Sequence, residues 1–140
     1  MLATVAVVAV AGVVAIIAAT RSNDTSIFDL EVGDCFDLPV EGDDVAVDVV
    51  ELIECAEPHE AEVVMIGQLN AGQDRPYPAD AELFDETDRR CAAADPGDPD
   101  RFAIVPIAPN EASWEPLGGT FLCVTYPYGG GPVTGSVVAG

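Results

Sequence analysis

Residues 45–69, VAVDVVELIECAEPHEAEVVMIGQL, place two β-branched runs on either side of Glu57-Pro58-His59. In the first, residues 45–55, Val45, Val47 and Val49 fall on one side of an extended chain, the period-2 pattern of a half-buried strand. The second, residues 61–69, carries Val63, Val64 and Ile66 and reads as another strand. With so short a turn between them, the two are expected to pair as a hairpin-like unit.

Working outward, Val32-Gly33-Asp34-Cys35-Phe36 reads as a tight turn entering an earlier strand, and Pro39 with Glu41-Gly42-Asp43-Asp44 makes the loop after it. On the C-terminal side, residues 70–80 have loop composition, and Asp80 stands where a helix cap is expected. The helix predicted over residues 80–94 carries Leu83, Phe84, Thr87 and Cys91 at three- and four-residue steps, which places them on its buried face. Asp95-Pro96-Gly97-Asp98-Pro99-Asp100 ends it, because proline cannot continue a helical ladder. Residues 102–108 (FAIVPIA) form a strand whose Pro106 points to an edge position. Residues 109–117 surround Trp114 with one helical turn, residues 119–126 (GTFLCVTY) form a strand with Cys123 inside the sheet, and residues 135–139 add a last strand. Runs of strands without regular βαβ alternation imply an α+β domain: a small, mostly antiparallel sheet with one packed helix.

The first twenty residues differ in kind. From Leu2 to Ala19 no side chain is charged, and a helix of that length covers the hydrocarbon core of a bilayer. Residues 1–20 are therefore expected to be a single transmembrane helix, residues 21–29 (RSNDTSIFD) a polar tether, and residues 30–140 an extracytoplasmic domain. A cleaved signal peptide is the alternative, with Ala18 and Thr20 as small residues near a cleavage point. Arg21 follows the apolar run and no base precedes it, which by positive-inside counting votes for the opposite orientation; a start upstream of Met1 would supply the missing basic flank.

Beyond Arg21 the chain has 25 carboxylates against Arg75, Arg89, Arg90 and Arg101, a formal charge of −21, and no lysine. Nucleic acid and anionic headgroups are excluded as partners, since both are held by Lys and Arg. Cys35, Cys55, Cys91 and Cys123 are even in number and widely spaced, without the close pairs of a zinc site or a redox motif. Outside the cytoplasm they imply two disulfides. Three connectivities are open, and Cys35–Cys55 with Cys91–Cys123 is favoured because each closes a local loop.

Little in the sequence carries chemistry. His59, the single histidine, has acidic neighbours at Glu57, Glu60 and Glu62 but no nucleophile in a recognisable context, so it reads as a turn residue donating to a nearby carbonyl or carboxylate. Asp95, Asp98 and Asp100 lack the ligand spacing of a calcium loop, and no dedicated metal site or cofactor is expected. Gly129-Gly130-Gly131 is followed by Pro132, which makes it a turn rather than a phosphate cradle; Tyr126 and Tyr128 beside it read as a recognition surface or as the cover of a core edge. No catalytic residue is assigned.

Val32-Gly33-Asp34-Cys35-Phe36, then residues 55–64 (CAEPHEAEVV), Tyr77-Pro78, Cys91, Trp114, Cys123 and Gly135-Ser136 together resemble the actinobacterial septum-formation domain family, over roughly residues 30–140. The resemblance implies an envelope protein anchored in the membrane, with its domain outside, its cysteines paired, and envelope or division proteins as partners. It implies no catalytic residues. The expected function is a non-catalytic binding or interaction module of the cell envelope. The alternatives are an envelope-polymer-processing enzyme using His59 and a purely structural acidic surface protein.

Overall fold

The computed structural model describes residues 24–38 and 49–138. The apolar segment Leu2 to Ala19, the loop around Pro39 and the positions of Val45 and Val47 lie outside the described residues. Among those described, no helix is long and apolar enough to cross a membrane.

Six strands form one antiparallel sheet: β1 (Asp24–Ser26), β2 (Cys35–Phe36), β3 (Val49–Ile53), β4 (Ala61–Gln68), β5 (Phe102–Ile107) and β6 (Thr120–Pro127). Their spatial order is β1-β3-β2-β4-β6-β5. Helix α1 (Asp80–Cys91) precedes β5, and a single helical turn, α2 (Glu111–Trp114), precedes β6. The α+β class with one main helix is thus the observed one.

The hairpin expected from residues 45–69 does not form. β2 lies between β3 and β4, with Cys35 opposite Ile53 on one side and Glu62 on the other. The physical reason is Phe36, fully buried in the core that Val50, Ala61 and Val63 also line. A direct β3–β4 pairing would leave that aromatic side chain without its place, and residues 54–60 are long enough to step over one intervening strand.

The polar reading of residues 21–29 also changes. Asp24–Ser26 pairs with Val49, Val50 and Glu51 as the sheet edge, and Ile27 in the following 3-10 turn (Ile27–Asp29) is completely buried. Two apolar residues, Ile27 and Phe28, are too short a run to show a period in sequence, yet Ile27 lies in the core and Phe28 packs against it.

β6 is buried on both faces, and its alternation divides the core. Leu122 and Val124 pack with Ile27, Leu30, Phe36 and Val63; Phe121 and Cys123 pack with Leu69, Leu83, Cys91 and Trp114 under the helix. Gly67 of β4 sits where a β-carbon would lie 2.5 Å from the Phe121 ring, so this position admits no side chain while the ring stays in place. β5 is the opposite edge, where Pro106 is tolerated.

Further corrections concern the helix and the C-terminal end. Asp80 is the first helical residue and not the cap; the capping position is Ala79, which has no side-chain acceptor. α1 ends at Cys91, and its buried residues are Leu83, Thr87 and Cys91, with the Thr87 hydroxyl donating to the Leu83 carbonyl at 2.8 Å. Phe84 is 59% exposed, because one step beyond Leu83 turns it about 100° off the buried stripe. The described part of residues 135–139 is no strand: these residues bond to a buried carboxylate instead of a neighbouring ladder.

Candidate functional site

The segment from Cys55 to Glu62 is held at both ends. Cys55, just beyond β3, forms a disulfide with Cys35 of β2 (Cα–Cα 5.4 Å). The turn after it is closed by the Glu57 amide donating to the Glu54 carbonyl at 2.8 Å, and Pro58 stands exposed at its surface. His59 turns inward and is 2% exposed. Its Nδ1 lies 2.9 Å from the Glu57 carbonyl, which can only accept, so Nδ1 carries the proton. His59 and Val133 exchange two main-chain hydrogen bonds at 2.9 and 2.8 Å, and the Gly135 amide donates to the Cys55 carbonyl at 2.6 Å.

Glu62 is the buried charge of this region, at 1% exposure. Its carboxylate accepts a short hydrogen bond from the Ser136 hydroxyl, one from the Val137 amide at 2.6 Å and one from the Val138 amide at 3.3 Å. Several donors converging on one carboxylate replace the water it lost on burial. The C-terminal segment, residues 133–138, is therefore fastened to the turn before β4 by the main-chain bridge at His59 and to β4 itself by the Glu62 carboxylate. In the sequence Glu62 is only one of the acidic neighbours of His59; Ala61, Glu62 and Val63 are all buried, and the C-terminal segment supplies the donors that Glu62 meets.

Cys91 at the end of α1 and Cys123 in β6 form the second disulfide (Cα–Cα 5.5 Å). Both pairs match the favoured connectivity. Cys35, Cys55 and Glu62 bring three potential metal-ligand atoms within 4.8 Å of one another, but both sulfurs are engaged in the disulfide and offer no thiolate. Asp95 and Asp98 accept from the amides of Gly97 and Asp100 at 2.8 and 3.0 Å, which makes them turn residues.

Trp114 is buried at 2% and anchors the loop before α1. Its indole N–H donates to the Arg75 carbonyl at 2.7 Å, its ring meets Tyr77 edge-on at 5.7 Å, and the Arg75 guanidinium lies 5.8 Å from its centroid. Arg75 forms a two-pronged pair with Glu86 of α1, both contacts at 3.1 Å. That hydrogen bond and the arginine charge hold the Glu86 carboxyl below its ordinary value of 4.5, against partial desolvation. Asn110 and Ser113 cap α2 reciprocally, with bonds of 2.8 and 3.1 Å.

Tyr126 and Tyr128 do not share one environment. Tyr126 is half-buried and donates to Glu60 at 3.3 Å; burial first, then the Glu60 charge, raise its pKa above the usual 10. Tyr128 is 63% exposed on the turn.

A groove that sequence reasoning missed lies where α1 begins and β5 ends. Phe28, Leu83, Phe84, Pro106 and Ile107 line it, Tyr77 borders it, and its volume is ≈ 340 Å³. The sequence signal for it is Phe84, which the helical stepping puts on the buried face and the structure leaves 59% exposed.

Fold and site define a disulfide-linked α+β domain whose single histidine, tryptophan and buried carboxylate hold loops to a sheet. A family model described as septum formation matches residues 4–97, or 94 of 140 positions, and the chain belongs to that septum-formation family. The match takes in the apolar N-terminal run and stops before β5, so Trp114, Cys123 and Gly135-Ser136 lie beyond it. No curated protein and no solved structure gives a significant match.

Proposed function

We propose that this protein is a non-catalytic interaction module of the cell envelope, anchored in the membrane through Leu2 to Ala19, with its disulfide-bonded domain on the extracytoplasmic side, acting with envelope or division proteins in septum formation. The observation that carries the reading is the pair of disulfides, with Cys35, Cys91 and Cys123 buried. Disulfides of this kind belong to oxidising compartments, because cytosolic thiol buffers keep cysteines reduced. The family membership supports the link to the septum. The non-catalytic part draws support from His59, whose protonated nitrogen is bonded to Glu57 and whose ring is withdrawn from solvent.

The test is intact-mass analysis of the full chain taken from membranes, alkylated with and without prior reduction. Four alkylations only after reduction, on a chain that retains residues 2–19, are expected. Thiols reactive without reduction would place the domain in the cytoplasm and overturn the reading.

A further inference from the structure

The groove between α1 and the end of β5 combines an apolar lining, a size suited to side chains and a carboxylate at its border. Its floor is apolar, made by Phe28, Leu83, Pro106 and Ile107, while Phe84 stands at its wall with 59% of its surface in water. Its volume of ≈ 340 Å³ is within the range that accommodates one or two side chains of a ligand. Its polar border carries Asp80 and the neutral Asn110; Glu111 lines the neighbouring hollow on the other side of Tyr77, whose hydroxyl has its pKa raised by burial first and then by the charges of Asp80 and Glu111. Among the described residues no arginine lines the groove; Arg75 is engaged by Glu86 and Arg89 by Asp85.

An apolar floor with a carboxylate at its border selects its occupant by charge. We propose that this groove is the docking site for a partner-protein segment that inserts one or two large apolar side chains flanked by lysine or arginine. The partner's apolar side chains displace water from Phe84 and Ile107, and its cations face Asp80 and, beyond Tyr77, Glu111. The absence of lysine and the formal charge of −20 make a second copy of this chain an unfavourable occupant, since two such molecules repel. The proposal names the surface and partner chemistry of the interaction module proposed above and rests on that reading.

The test uses the full chain in zwitterionic lipid nanodiscs, titrated with a fluorescent hexapeptide that holds Leu-Phe between flanking lysines, with empty nanodiscs as blank. The comparison peptide has glutamate in place of each lysine. The lysine peptide is expected to bind at least about tenfold more tightly than the glutamate peptide, with a preference that shrinks at high salt. Phe84→Ala is expected to weaken the lysine peptide by about tenfold, the loss of one aromatic anchor, with the thermal midpoint unchanged. Val49→Ala, at an equally exposed valine on β3, leaves binding as it was. Equal binding of both peptides, equal behaviour of the Phe84 and Val49 variants, or a dimer that Phe84→Ala dissolves would each overturn the proposal. Reactive thiols in the alkylation experiment would refute the compartment without altering these titrations, so the two failures are separable.

Discussion

Glu62 shows how a single residue ties the end of the chain to its middle. A carboxylate at 1% exposure is stable only if its lost hydration is replaced, and the Ser136 hydroxyl with the Val137 and Val138 amides replaces it. Glu62→Ala takes the acceptor from these two amides, and the variant is expected to lose about 1–3 kcal/mol of stability. Residues 137 and 138 should become fast in amide exchange, while Val124 of β6 remains protected. Denaturant unfolding with exchange mass spectrometry checks both; unchanged protection at 137 and 138 would mean that other contacts hold the segment. His59 offers a contrast at the same scale. Its place at a turn follows from Glu57-Pro58-His59, whereas its pairing with Val133, 74 positions away, is not written in local sequence.

Among the elements, α1 is joined to its surroundings by a disulfide at its last residue and by the partly buried Arg75–Glu86 pair. The pair has a defined pH dependence. Because the folded Glu86 pKa is lowered, mainly by its hydrogen bond from Arg75, its contribution is present above the unfolded value near 4.5 and is lost as pH falls through the lower folded value. Glu86→Gln is thus expected to unfold at lower urea than the parent at pH 7, with the difference shrinking toward pH 3; a gap that persists at pH 3 would assign the effect to packing. The helix itself was legible in the stepping of Leu83, Thr87 and Cys91, as was the edge placement of β5 from Pro106. The β2 insertion was not, since two residues, Cys35 and Phe36, are too short a run to show a period. Phe84 was misassigned because a four-residue spacing tolerates neighbours on either side of the stripe, and only packing against β5 and β6 fixes the rotation.

For the molecule as a whole the dominant quantity is charge. Twenty-five carboxylates on a 140-residue chain oppose compaction through mutual repulsion, and few arginines relieve it. Raising ionic strength from about 0.01 to 0.15 M shortens the screening length from about 30 to 8 Å. The thermal midpoint is expected to rise over that interval, most steeply at its low end; a flat midpoint would show that the acidic groups are too far apart to interact. Against this repulsion stand two cores on either side of β6 and two covalent links, Cys91–Cys123 within the core under the helix and Cys35–Cys55 between β2 and the end of β3. The sequence by itself determined the α+β class, the helix, the edge proline, the acidic surface and the favoured cysteine pairing, because composition, periodicity and loop length are local properties. Only the tertiary structure decided that β2 separates β3 from β4, that Ile27 and Glu62 are buried, and that Phe84 stands open over a groove. Each of those depends on which distant surface covers a residue, and chain neighbours carry no record of that.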